Sequence, residues 1–286
     1  MANLKELRSR ITSVSSTMQI TSAMKMVSAA KLNKAQMAIT AMRPYADKLT
    51  ELLQSLSASL EGDSASSFSE QREVNKVLVV AIASNRGLAG AFNSNIVKAS
   101  RELYNNVYAG KQVDFFTIGK KVNDIVSKTH TVVANKSEVF DDLTFANVAE
   151  IAEQLMELFT SGSYDKVVIV YNKFKNAATQ MVTTEQFLPI QPIKGEGNAN
   201  LDYIFEPSKE EIVEQLIPKS LKTQLYKAIR DSFASEHGAR MTAMHKATDN
   251  ATELRDSLKL QYNKARQASI TNEILEIVGG AEALNG

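Results

Sequence analysis

The sequence predicts an α/β protein: a long antiparallel two-helix coiled coil formed by the N- and C-terminal helices, with an α/β domain inserted between them. Three observations predict it. From Leu4 to Met42, apolar residues recur at alternating intervals of three and four, the spacing of a coiled-coil seam. Between 76 and 187 the pattern changes to short β-branched runs alternating with helical stretches, the signature of a wound α/β layer. From Ser208 to about Leu284 the sequence is helical again, with Pro218 as its one interior breaker.

The first helix carries Leu4, Leu7, Ile11, Val14, Met18, Thr21, Lys25, Ser28, Leu32, Ala35, Ile39 and Met42 on its seam, continuing through Tyr45, Leu49, Leu52 and Leu56. Pro44 removes a backbone donor and is expected to kink or locally break the helix. Thr21, Lys25 and Ser28 interrupt the apolar seam, while Ala23, Met24, Met26, Val27, Ala29 and Ala30 spread round the helix. That pattern reads as a local change of packing register. Residues 1–50 are basic and Ser-rich, as a transit peptide is, but their seam makes them part of the fold.

Residues 61–72 are polar and turn-rich, a loop. Strands follow at Lys76–Ser84, Val113–Ile118, about 131–134, Lys166–Tyr171 and Gln180–Phe187, with helices at about 92–108, 119–127 and 142–159. Together they make a small doubly wound, Rossmann-like layer, left through Pro189, Pro192, Gly195 and Gly197. The expected division is a helix over 1–60, a linker over 61–75, the α/β domain over 76–200, and a foot segment with the last helix over 201–286. Ser208 and Glu211 form a capping box for that helix.

At 1.5 Å per residue the two long helices run about 84 and about 115 Å, and such helices are stable only when paired. If they run antiparallel from level ends, residue i faces roughly residue 268 − i, so Met24 meets the neighbourhood of Met244. About twenty C-terminal residues then have no partner helix. Yet this end carries Ile270, Ile274, Ile277 and Leu284 on one stripe, with Leu275 and Val278 beside it. An exposed lone helix should not be so apolar, so something outside the chain is expected to surround it.

Composition narrows the function. Lys and Arg number 33 against 32 Asp and Glu, a net charge of +1, which excludes a globally basic nucleic-acid-coating protein. With no cysteine, disulfides, thiolate metal sites and cysteine nucleophiles are excluded. The longest apolar run is Val77 to Ala83, too short to span a membrane. The turn SNRGLAGAFN lies between strand and helix, but it matches neither phosphate-binding glycine fingerprint. Gly87 and Gly90 read as allowing a tight turn. His130, His237 and His245 are scattered with no carboxylate cluster, so no metal, cofactor or catalytic constellation is expected.

Four segments carry a resemblance: QITSAMKMVSAAKL near the start, SNRGLAGAFN in the middle, EHGARMTAMHKATDNA at 236–251 and YNKARQASITNEILEIVGGAEAL at the end. In that order they resemble the gamma subunit of F-type ATP synthases, over essentially the whole chain. The resemblance implies a non-catalytic central rotor shaft inside a ring of three alpha and three beta subunits. Its foot would sit with epsilon on the membrane ring of c subunits, and the ATP chemistry would fall to beta. It places Met24 and Lys25 in the segment facing the beta levers, and Arg266, Gln267 and Thr271 at polar contacts with beta and alpha loops. Ile270, Ile274, Ile277 and Leu284 would turn in an apolar sleeve. Tyr203, Phe205 and Glu206, in LDYIFEP, would meet the c-ring. Asn85 and Ala89 stand where the family often has Asp and Cys, which leaves the hydrogen bonding of that turn open. The resemblance is to bacterial members, implying the cytoplasmic face of the plasma membrane. Read from the residues alone, two other classes stay open: a structural coiled-coil adaptor with an α/β ligand domain, and a nucleotide-binding enzyme.

Overall fold

The computed structural model describes residues 4–58, 67–190 and 209–285. These form α1 (Leu4–Ala58), β1 (Lys76–Ile82), α2 (Phe92–Glu102), β2 (Gln112–Ile118), α3 (Lys120–Val126), β3 (Val132–Asn135), α4 (Phe145–Thr160), β4 (Lys166–Phe174), β5 (Gln180–Leu188) and α5 (Lys209–Asn285). The mixed α/β class with two long terminal helices is therefore as the sequence predicts. The chain divides into two compact units, one of residues 1–28 with 241–286 and one of residues 29–240.

In the second unit the sheet order is β3-β2-β1-β4-β5. β1 pairs in parallel with β2 and β4, and β2 with β3, whereas β5 returns antiparallel to β4. β1 is apolar on both faces because both are covered. Val77, Val79 and Ala81 pack with Ile96 and Val97 of α2 and Val122 and Val126 of α3. Leu78, Val80 and Ile82 pack with Val148, Ile151, Leu155 and Phe159 of α4 and Leu221, Leu225 and Ile229 of α5. Helices thus cover both faces.

Several boundaries depart from expectation for identifiable reasons. The helix expected over 92–108 changes to a π-turn at Leu103–Val107, closed by the Tyr108 N–H on the Leu103 carbonyl. The helix expected from Asp142 begins at Phe145, because Thr144 caps it by accepting from the Asn147 N–H. On α1, Leu32, Ala35, Ile39, Ala46 and Leu49 are buried, while Tyr45 is 50 % exposed. The three–four spacing carries the seam from Met42 to Ala46, so the assignment of Tyr45 is corrected. Both long helices remain continuous through Pro44 and Pro218. The Ser208–Glu211 box lies outside the described residues.

From Asp231 to Arg240, α5 is buried except for the half-buried Phe233, so polar side chains there are enclosed. The Asp231 carboxylate is fully buried, 3.6 Å from the Arg43 guanidinium of α1, which also donates to the Phe174 carbonyl of β4. One cation thereby ties three elements. Burial raises the Asp231 pKa, opposed by Arg43, Lys227 and Lys173. Beside it the Tyr171 hydroxyl donates to Glu185 at 2.6 Å; burial, then the Glu185 charge, push that phenol upward. His237 is 5 % exposed and packs edge-on against Phe233.

Two of these local environments are open to direct measurement. Gly119 has φ +116, and a Cβ there would stand 2.2 Å from the Ala83 carbonyl oxygen. Gly162, at φ +74, has nothing within 4 Å of that position. In urea unfolding, Gly162→Ala should cost about 1–2 kcal/mol of backbone strain, and Gly119→Ala more than about 3 kcal/mol. The His237 pKa is lowered to about 4 by burial, then by the charges of Arg240 and Lys31. The unfolded imidazole takes up a proton near pH 6.5, whereas the folded one resists until about pH 4. This group's contribution to stability is therefore present above pH 6.5 and is lost as pH falls to about 4, by about 3 kcal/mol. His237→Leu should lack that component when unfolding is measured across the same window.

Candidate functional site on the long helices

The first unit is a two-helix coil. On α1, Leu7, Thr21 and Ser28 are buried, with Leu4, Ile11, Val14, Met18 and Lys25 half-buried between them. On α5, Met244, Ala251 and Leu258 are buried, with Met241, Thr248, Arg255, Tyr262 and Ala265 half-buried. Both sets keep three–four spacing, and the α5 set was missed in the sequence because Thr248 and Arg255 interrupt it.

The contacts fix direction and register. Thr21 and Thr248 share a hydroxyl hydrogen bond of 2.8 Å. The Met18 sulfur accepts from Thr252 at 3.3 Å and from Arg255 at 3.4 Å. Rising numbers on α1 meet falling numbers on α5, so the helices are antiparallel. Thr21, expected opposite residue 247, meets Thr248.

The polar stretch of the seam is not a register change. Thr21 is 8 % and Ser28 3 % exposed on the expected positions, while Ile20, Met26 and Val27 face outward at 57–65 %. Thr21 is satisfied across the seam. The Ser28 hydroxyl donates to the Met24 carbonyl at 2.8 Å, which removes the cost of burying it. Met24 and Lys25 are both half-buried. Lys25 has no ion pair among the described residues, and its neighbours three and four positions away are Thr21, Ser22, Ser28 and Ala29.

Past Ala265 the described side chains of α5 are open to solvent, apart from the half-buried Ser269. Arg266 is exposed and has no ion pair among the described residues; Tyr262, Asn263, Ser269 and Ile270 surround it along the helix. Gln267 is exposed, and its carbonyl accepts the Thr271 hydroxyl at 2.9 Å. Ile270, Ile274, Leu275, Ile277 and Val278 are 47–70 % exposed. The side chain of Leu284 lies outside the described residues, as do Tyr203, Phe205 and Glu206.

The SNRGLAGAFN turn belongs to the second unit. Asn85 uses both ends of its amide, accepting from the Lys120 N–H at 3.0 Å and donating to the Ser137 carbonyl at 2.9 Å. Ala89 is buried against Phe92 and Ala239. Leu88 has φ +62 and is 67 % exposed at the crest. Arg240, held by Glu236 on its own helix, donates to the Arg86 and Gly87 carbonyls at 3.1 and 3.2 Å. The turn thus offers carbonyls to a buried guanidinium, the opposite polarity to a loop that cradles phosphate with N–H groups. Sequence reasoning missed this clamp because an i, i+4 Glu–Arg pair reads as solvated surface. Among the described residues no group of three or more His, Cys, Asp or Glu could hold a metal ion, and no helix is long and apolar enough to cross a membrane.

Comparison with known proteins agrees with this geometry. The ATP synthase family model ATP-synt matches residues 3–284. The ATP synthase gamma chains of Flavobacterium johnsoniae and Christiangramia forsetii are 74 % and 70 % identical, each covering 100 % of both chains. A chain in the Euglena gracilis mitochondrial ATP synthase OSCP/F1/c-ring structure, in rotational state 3, superposes with TM-score 0.73 at 23 % identity, over 98 % of this chain and 94 % of that one. A chain of the Tetrahymena thermophila central stalk and c-ring superposes with TM-score 0.60 at 24 % identity, over 80 % of this chain and 99 % of that one. The antiparallel coil, the sheet layer inserted in sequence between its helices and full-length identities of this size have one reading: the chain belongs to the ATP synthase gamma-chain family.

Proposed function

We propose that this chain is the central shaft of an F-type ATP synthase, turned by ion flow through the c-ring and imposing nucleotide-binding states on the beta subunits in succession. The observation that carries the reading is the end of α5. Beyond Ala265, five branched apolar side chains from Ile270 to Val278 stand 47–70 % exposed, with no covering element among the described residues. Such a surface is suited to turning inside an apolar sleeve made by three alpha and three beta subunits. Lys25 and Arg266, which lack ion pairs among the described residues, would meet carboxylates or carbonyl clusters of that ring. Gln267 and Thr271 would complete a polar collar at its base. Thr271 would do so by giving up its bond to the Gln267 carbonyl or by accepting through its free lone pair.

The chain itself takes no part in ATP chemistry. The turn supports this, since it presents carbonyls to Arg240 where a phosphate loop presents N–H groups to its ligand. Tyr203, Phe205 and Glu206 would grip the c-ring loops beside epsilon. The chain would therefore lie peripherally on the cytoplasmic face of a bacterial plasma membrane, without crossing it.

The test is the complete complex reconstituted in vesicles, with ATP hydrolysis and ATP-driven ion pumping read together. Arg266→Ala should assemble and lose at least about thirtyfold in steady-state turnover, corresponding to about 2 kcal/mol or more for a partner charge left unpaired. Arg266→Lys should lose less, since an ammonium keeps the charge without the planar fork. Wild-type turnover in Arg266→Ala would remove the collar from the account. Replacing Tyr203, Phe205 and Glu206 together with Ala should leave hydrolysis by the soluble part intact and lower pumping. Equal pumping by that triple variant would rule out their grip on the ring.

A further inference from the structure

The outer edge of the sheet layer holds a second surface, far in sequence from the segments assigned to the shaft. Two adjoining depressions run between β3 and α4. One, of about 220 Å³, is lined by Lys136, Glu138, Val139, Asn147, Glu150, Ile151 and Gln154. The other, of about 410 Å³, is bounded by Phe116, Val133, Ala134, Leu158 and Ser161 together with Gln154 and Glu157. Gln154 borders both, so they form one groove along α4 from Asn147 to Ser161, about 21 Å at the helical rise.

The floor is apolar. Phe116, Val139 and Ile151 are buried, and Ala134 and Leu158 are half-buried. Val133 projects from it at 40 % exposure. The register between β2 and β3 explains that exposure. Val132 pairs with Phe115 and Ala134 with Phe116, which leaves Val133 as an extra residue between the two pairs. An edge bulge of this kind turns a side chain outward and blunts the strand against pairing with another.

The rim is acidic. Glu138, Glu150 and Glu157 are exposed and have no ion pair among the described residues. Glu153, one turn away, is instead engaged by Lys222 of α5. Lys136 is the one cation among the lining residues, against three carboxylates.

From this juxtaposition we propose that the β3–α4 groove is a docking site for a basic amphipathic helix of another protein chain, about four turns long. Its apolar ridge would lie on Val133, Ala134, Ile151 and Leu158, and its lysines or arginines on Glu138, Glu150 and Glu157. The bulge and the four-residue length of β3 disfavour an added strand, so the groove calls for a helix laid in by its side chains. The acidic rim also disfavours an anionic lipid surface. The inference stands apart from the rotor reading, because no residue of the collar, the α5 end or the c-ring contact takes part.

The probe is a fluorescein-labelled 16-residue peptide with leucines on one helical face and lysines flanking them, titrated into the full chain near physiological salt. Its counterpart carries glutamate in place of every lysine. The lysine peptide should bind and the glutamate peptide should not. The exposed charge reversal Glu150→Lys/Glu157→Lys should weaken binding at least tenfold while circular dichroism shows an unchanged fold, and Leu158→Asp should do the same from the floor. Ile274→Ser/Ile277→Ser should leave binding intact. The proposal fails if the lysine peptide does not bind or if the two peptides bind equally. It also fails if the charge reversal changes nothing, or if the α5-end variant is the one that abolishes binding.

Discussion

A helix of 77 residues has no core of its own, and α5 is ordered by what it buries at each point along its length. Between Asp231 and Arg240 it is enclosed nearly all round. From Met241 to Ala265 it buries a single stripe against α1, and beyond Ala265 its described side chains are exposed apart from the half-buried Ser269. Each regime selects its own side chains. The enclosed part uses Ser232, Ala234, Ser235 and Ala239, which let neighbours approach closely. The striped part repeats Met244, Ala251 and Leu258 at heptad intervals. The bare part carries isoleucine, leucine and valine that no contact among the described residues explains.

The enclosed part is also where the chain accepts buried charge. Asp231 with Arg43 and Glu236 with Arg240 are costly to desolvate, yet each guanidinium reaches a backbone carbonyl outside its own helix. Arg43 binds α1 to β4, and Arg240 binds α5 to the turn before α2. An apolar pair of equal volume could match the packing but could not hold those carbonyls. Loss of either arginine would take the nearest counter-charge from an enclosed carboxylate, which is more damaging than losing an exposed pair.

Much of this was legible in the sequence because period and burial coincide. The apolar runs at 76–84, 113–118 and 166–171 are covered on both faces, and each is a strand. Taking the long helices as antiparallel from level ends gave their register to within one residue at Thr21. What escaped was polarity at buried positions. Thr21 and Ser28 sit on the seam because a hydroxyl on the other helix satisfies Thr21 and the Met24 carbonyl, one turn back, satisfies Ser28. Tyr45 was read as a seam residue, but the alternation of three and four passes from Met42 to Ala46. The direction of β5 and the bulge at Val133 depend on pairings that no local pattern encodes. Of the proposed contact residues, Arg266 was the most readable, since the absence of acidic neighbours along its helix is itself a sequence fact.

The bare end of α5 bears on how cells can make such a chain. Five branched apolar side chains open to water are a liability for any polypeptide released alone, inviting capture by chaperones, proteases or other copies of itself. A free pool is the form most exposed to these losses. Synthesis must therefore be matched in number and time to whatever encloses that end, and surplus chain is the species most readily lost. One stretch of unpaired helix thus makes the abundance of this chain dependent on the abundance of its enclosure.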